Sequence, residues 1–209
     1  MTVASMENVS FSFANGPKIF DNFSLSVKKG EFVYIKGLNG SGKSTLLKIL
    51  CGLIPPTTGN VSVFGKEPHR NPEILKRLGI VIDGMGLYRE LSLRENILLF
   101  ARQKGVTPEM AEEALKKYVR MWNIDFNRKY KKSSHGMRKI AKLTLSLIND
   151  PELLIWDEPE LALDKKRHET LVNLLRDYKE NGKTCIIAGT NPDMYQGLID
   201  RVIEKEVTI

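Results

Sequence analysis

The chain has only two cysteines, and no apolar run in it approaches the roughly 18 residues that a membrane-spanning helix requires. No membrane span is therefore expected. Cys51 and Cys185 lie far apart, each inside an apolar run, which argues against a disulfide or thiolate metal site and suits buried, reduced thiols of a cytosolic protein. The opening segment, Met1 to Ser10, is too polar for a secretory signal. Repeats, linkers and low-complexity tracts are also missing. The lysines stand in pairs (Lys28-Lys29, Lys116-Lys117, Lys131-Lys132, Lys165-Lys166) without interleaved aromatics. A net charge of +7 is compatible with nucleic acid, an anionic membrane surface or a solvated basic skin, and this scatter favours the skin.

What is present is enough apolar material for a core. With 209 residues and 42% hydrophobic content, the chain reads as one domain, or one domain with a subdomain. Its most informative segment is Gly37-Leu38-Asn39-Gly40-Ser41-Gly42-Lys43-Ser44-Thr45. The β-rich run Phe32-Val33-Tyr34-Ile35 precedes it, and Leu46, Leu47, Ile49 and Leu50 follow at helical spacing. Glycines 37, 40 and 42 free the backbone to curl so that its N–H groups point at phosphate oxygens, and the helix N-terminus adds partial positive charge there. Such a loop binds a nucleoside triphosphate: Lys43 would reach the β- and γ-phosphates, Ser44 would hold Mg²⁺ and Thr45 would contact the α-phosphate.

Three stretches differ in pattern. Residues 1–67 are β-rich, with alternation at Val9, Phe11 and Phe13 and again at Phe23, Leu25 and Val27, and with a short strand from Asn60 to Phe64. Residues 68–135 read as a mostly helical insertion: Ser92 with Glu95 makes a capping box, and Thr107-Pro108 supplies a cap and first-turn proline for a helix over Met110 to Met121. Residues 136–209 give a helix (Gly136 to Ile148), a strand (Leu153 to Trp156), a helix (His168 to Tyr178), an Asn181-Gly182 turn and a strand (Thr184 to Ala188). The fold class expected is α/β, a mostly parallel core sheet covered by helices, with an N-terminal antiparallel β region and a helical subdomain insertion.

Triphosphate chemistry needs a carboxylate for the metal and a group to orient water. Leu153-Leu154-Ile155-Trp156-Asp157-Glu158-Pro159 offers both: Asp157 for Mg²⁺ and Glu158 to polarise or deprotonate the attacking water. With these two motifs the whole chain resembles the ATP-binding-cassette (ABC) ATPases, P-loop NTPases. Between the motifs, Ser133-Ser134-His135-Gly136-Met137-Arg138-Lys139 resembles the family's signature segment, with Ser133 and His135 replacing its usual first Leu and first Gly.

The resemblance implies an ATP-hydrolysing subunit that works as a homodimer or heterodimer. In it Ser134, His135, Gly136 and Met137 of one chain face the γ-phosphate held by the other, and Asp164 lies along the dimer seam. Phe13 takes the place of the aromatic that stacks on adenine, with Phe11 the competing choice, and residues 84–93 match the region that meets a membrane permease. Two positions depart from the pattern. Asp83 stands where the family usually has Gln, near Mg²⁺, and Thr190 where it has His, so its help to the γ-phosphate is weaker. An acidic residue at the first and the Ser-x-Gly-Met signature resemble the bacitracin and lantibiotic exporter branch. The implied cofactors are ATP and Mg²⁺, the location the cytoplasm at the inner face of the membrane, and no nucleic acid partner is expected. A non-transport ATPase of the cofactor-assembly kind and a weakly catalytic ATP-binding regulator are the other two readings.

Overall fold

Apolar positions alternate through β1 (Thr2–Ser12) and β2 (Lys18–Lys28), which pair antiparallel with Met6 opposite Leu25 and Phe11 opposite Phe20. Met6 and Val9 both point into the core despite their odd spacing, because the register shifts between them at Asn8, whose φ is 51°. On the other edge of β1, β4 (Thr58–Val63) completes a three-stranded antiparallel sheet. The computed structural model describes residues 1–14, 16–82, 84 and 86–205.

The second sheet is parallel throughout. It holds β3 (Phe32–Lys36), β5 (Leu78–Val81), β6 (Leu153–Asp157), β7 (Thr184–Gly189) and β8 (Arg201–Glu204), in the order β5-β6-β7-β3-β8. Its three central strands are unbroken apolar runs because both faces are covered. One face, with Val33, Ile35, Leu153, Ile155 and Ile186, packs on α1 (Lys43–Leu50) and through it on the antiparallel sheet. The other, with Tyr34, Leu154, Trp156 and Ile187, packs under α2 (Leu93–Gln103), α3 (Pro108–Trp122), α4 (His135–Leu147) and α5 (Lys165–Glu180). Trp156 is fully buried there, and its indole N–H is satisfied by Ser146 Oγ at 3.1 Å.

The caps expected from sequence are built: Ser92 and Glu95 form a reciprocal capping box, and Thr107 caps α3 with Pro108 in its first turn. The insertion is less helical than its sequence suggests. Residues 68–77 form short 3-10 turns, and Leu78–Val81 is a strand of the parallel sheet, so the core also draws on residues inside 68–135. A four-residue edge strand carries no periodicity to read. β8 left no signal either, because its residues are largely exposed. α5 starts at Lys165, earlier than His168, because Asp164 caps it while its first turn is entirely polar. Cys51 and Cys185 are free and buried, and desolvation pushes both thiols far above their ordinary range.

Lys104, the C-terminal cap residue of α2, ties the helical part to the sheet: its ammonium donates to the Leu78 carbonyl and to Asn149 Oδ1, each at 3.2 Å. Burial lowers its pKa from 10.5 to about 8. The folded protein therefore releases this proton near pH 8, whereas the unfolded chain keeps it until near 10.5, so stability climbs as pH rises through that window. Urea unfolding should show a gain of about 2 kcal/mol for the native sequence between roughly pH 7.5 and 10, and a flatter profile for Lys104→Met. Identical slopes would contradict this account.

Candidate active site

The site lies where three parallel strands end together. Lys36 pairs with Gly189 and Asp157 with Ala188, so the segments leaving β3, β6 and β7 emerge along one sheet edge, the place where open parallel sheets bind ligands. The Gly37 amide donates to the Gly189 carbonyl at 3.1 Å, fastening the loop after β3 to the exit of β7. The loop then turns through Gly40 (φ 81°) and Gly42 (φ 92°), conformations that favour glycine, and opens α1 at Lys43.

Helix α1 differs from its four companions at this end. Ser92, Thr107, Ser134 and Asp164 each cap their helix through a side-chain oxygen, whereas Gly42 offers none, and the first amides of α1 remain available to an anion. Lys43 is buried, its ammonium donating to the Gly37 carbonyl at 2.8 Å and the Leu38 carbonyl at 2.9 Å. Ser41 is buried under the loop, and its hydroxyl has no hydrogen-bond partner among the described residues. Opposite, the Ser44 hydroxyl donates to Asp157 Oδ2 at 2.5 Å. Glu158 follows with φ 43°, its amide held by the Ala188 carbonyl at 2.8 Å and its own carbonyl by Lys139 Nζ at 2.8 Å.

These residues enclose a pocket of about 420 Å³, lined by Ile19 with Asn39, Gly40, Gly42 and Lys43 on one side and Asp157 and Glu158 on the other, with Ser44 and Thr45 between. Two hard oxygen donors, Ser44 Oγ and Asp157, converge in it, and among the described residues no three His, Cys, Asp or Glu side chains gather as a metal cage. Such a donor set fits Mg²⁺, which takes one or two protein oxygens and completes its shell with water and phosphate.

Among the described residues, the other expected ones do not line the pocket. Thr190 is exposed, one residue past β7. Phe13 lies just beyond β1 and is 55% exposed, so it is no core strand residue; Phe11 is the buried one. Phe13 meets Phe11 edge-on at 4.9 Å, and Phe11 leads to Phe20, which borders Gly42. Asp83 lies outside the described residues. Ser134 caps α4 through Met137 N–H at 3.2 Å and is exposed, as is His135, and neither they nor Gly136 and Met137 line the pocket of their own chain. Gly136 abuts the segment after Glu158: a Cβ there would come within 2.6 Å of the Ala162 carbonyl. Asp164 caps α5, and the Arg167 backbone amide, with its guanidinium, holds the Asp164 carboxyl below its usual range. In the 84–93 segment, buried Asn96 holds the backbone of Tyr88 from both sides, and the half-exposed Tyr88 ring stacks on Phe100 at 5.8 Å.

Sequence reasoning missed Ile19 and Lys139. Ile19 reaches the pocket only because β2 passes beneath Gly42, and Lys139 reaches the Glu158 carbonyl from α4, contacts between distant parts of the chain that no local pattern marks.

A family model described as ABC transporter matches residues 20–160. The chain is similar to the lantibiotic transport ATP-binding protein SrtF of Streptococcus pyogenes, with 35% identity over 170 residues, 81% of this chain and 72% of the other. It is 32% identical over 211 residues to Nod factor export ATP-binding protein I of Burkholderia orbicola, covering 98% of this chain and 69% of that one. Among solved structures, a dimeric ATP-binding cassette in a post-hydrolysis state bound to ADP and Pi matches with a TM-score of 0.85 at 26% identity, covering 99% of this chain and 97% of the other.

Two glycines of the loop separate backbone strain from crowding. An alanine at Gly42 would meet Ile19 Cγ2 at 2.4 Å, while one at Gly40 would meet nothing within 4 Å. Gly40→Ala should cost about 1 kcal/mol in urea unfolding, for its left-handed backbone alone. Gly42→Ala should cost roughly 2–3 kcal/mol and also weaken binding of a fluorescent nucleoside triphosphate. Equal costs would show that Ile19 yields freely.

Proposed function

The chain belongs to the ABC transporter family as an ATP-binding, ATP-hydrolysing subunit, and we propose that two such cassettes close over two ATP molecules to drive a separate membrane permease. The observation that carries this reading is the pairing of an uncapped helix N-terminus and Lys43 with Ser44, Asp157 and Glu158 in one pocket.

In this mechanism the amides of residues 37–42, with Asn39 and Ser41 among them, wrap the phosphates, and Lys43 exchanges its two carbonyl partners for β- and γ-phosphate oxygens. Thr45 meets the α-phosphate and Phe13 stacks on adenine. Ser44 and Asp157, with Asp83, would hold Mg²⁺, which would neutralise charge building on the phosphates. Glu158 orients a water against the γ-phosphorus. As the water oxygen bonds to phosphorus and the bond to ADP breaks, a water proton passes to a Glu158 carboxylate oxygen. Thr190 offers a neutral hydroxyl to the γ-phosphate.

Ser134, His135, Gly136 and Met137 serve the nucleotide of the second chain, with Asp164 on the seam between the two. The exposed positions of Ser134 and His135, away from their own chain's pocket, support that division of labour, as does the dimeric form of the ADP-bound structural relative. Among the described residues no helix is long and apolar enough to cross a membrane, so the path through it falls to the permease, met by the segment around Tyr88. Export is the favoured direction, on the similarity to a Nod factor export protein and to a lantibiotic transport protein. The cassette would then work at the cytoplasmic face of the membrane.

Lys43→Ala should abolish tight ATP binding by titration with a fluorescent analogue. Glu158→Gln should bind ATP, elute as a closed dimer in size-exclusion chromatography and lose about 10²- to 10⁴-fold in turnover. Unchanged turnover would remove Glu158 from the base role. Thr190→His should raise basal hydrolysis, since an imidazole can carry charge to the γ-phosphate and a hydroxyl cannot; a flat rate would count against that placement.

A further inference from the structure

Glu158 has a backbone conformation that a glutamate holds only under restraint. Ala188 and Lys139 fix its own peptide groups, but not the course of the chain that follows. That course is set two residues on, at Glu160. The Tyr195 hydroxyl donates to Glu160 Oε2 at 2.7 Å, and His168 Nε2 lies 2.9 Å from the Glu160 carbonyl. Tyr195 is fully buried, as is Tyr34 on β3, whose ring lies 5.9 Å away. Gly189 closes the cluster: a Cβ there would stand 2.2 Å from the Tyr34 hydroxyl and 3.4 Å from Glu160 Oε1.

This cluster touches the chain on three sides of the pocket. Tyr34 belongs to the strand that feeds the phosphate loop, Glu160 to the segment leaving Glu158, and Tyr195 to the segment that begins at Thr190. An apolar pair would fill the same volume without bringing a carboxylate out of water, so the polar contact contributes direction more than stability. Burial and the nearby Glu160 carboxylate push the Tyr195 hydroxyl far above its ordinary range, which keeps it a donor through the working pH range.

We propose that the Glu160–Tyr195 hydrogen bond is a positioning contact for hydrolysis. It ties the Glu158 loop to the Thr190 segment, so that carboxylate and hydroxyl keep a fixed separation across the γ-phosphate position. Both residues act through their neighbours and do not themselves touch the nucleotide. The inference rests on the roles given above to Glu158 and Thr190.

Steady-state ATPase kinetics on the full chain, with nucleotide affinity measured separately, test it. Tyr195→Phe and Glu160→Ala should each lower kcat roughly tenfold, because a small displacement of the water-orienting group suffices for that, while leaving ATP affinity nearly unchanged. The double variant should be no slower than either single one, as befits one shared interaction. Glu160→Gln keeps an acceptor oxygen and should recover most of the turnover. Native kcat in Tyr195→Phe, losses that multiply in the double variant, or ATP affinity falling in step with kcat would each overturn the proposal. If Glu160→Ala does not fold, Tyr195→Phe with Glu160→Gln decides alone. A failure of the underlying reading looks different: Glu158→Gln would then turn over ATP like the native protein.

Discussion

The parallel hydrogen bonding of β7 between β3 and β6 is the constraint on which the rest depends. Parallel strands deliver their C-terminal ends to the same edge, so residues far apart in sequence, Gly37, Asp157 and Gly189, leave the sheet side by side. The Gly37–Gly189 and Glu158–Ala188 backbone bonds continue the ladder past the ends of the strands and carry its register into the loops. Because the three strands are buried on both faces, slipping any of them would disrupt close packing against both layers and move a site residue at once. Fold stability and site geometry are thus set by the same pairing.

Electrostatics at that edge follow from what is left unsatisfied. Four helices close their N-termini with a Ser, Thr or Asp side chain, while α1 begins after a glycine. Its free amides, the Lys43 ammonium and the uncapped dipole place positive character on one wall, and Asp157 with Glu158 stands on the other. A polyphosphate and a divalent cation complement those two walls together better than either would alone. An oxygen set that, among the described residues, is too small to cage a metal by itself would then suit a divalent cation whose shell is completed by phosphate and water.

Much of this was legible in the sequence, and the reason is locality. The phosphate loop, the Asp157-Glu158 end of a buried strand and the caps at Ser92 and Thr107 each declare themselves within a few consecutive residues. β5 and β8 did not, being short edge strands whose identity comes from a neighbour. Lys139, Ile19 and Tyr195 acquire meaning only when chain segments remote from them arrive, a matter of packing that no spacing rule encodes. Phe13 shows the converse: its alternation with Val9 and Phe11 suggested a strand residue, yet the strand stops one position earlier and leaves its ring half exposed against Phe11.

The Lys43 ammonium already has two internal acceptors, the carbonyls of Gly37 and Leu38. An arriving anion must outcompete them, so what it gains is a difference between two sets of hydrogen bonds and not the whole attraction of a bare cation. A small ion such as chloride offers too little in return. A chain of phosphates that simultaneously engaged the helix amides would win that exchange, and discrimination in this pocket would then follow the reach of the polyanion more than its charge.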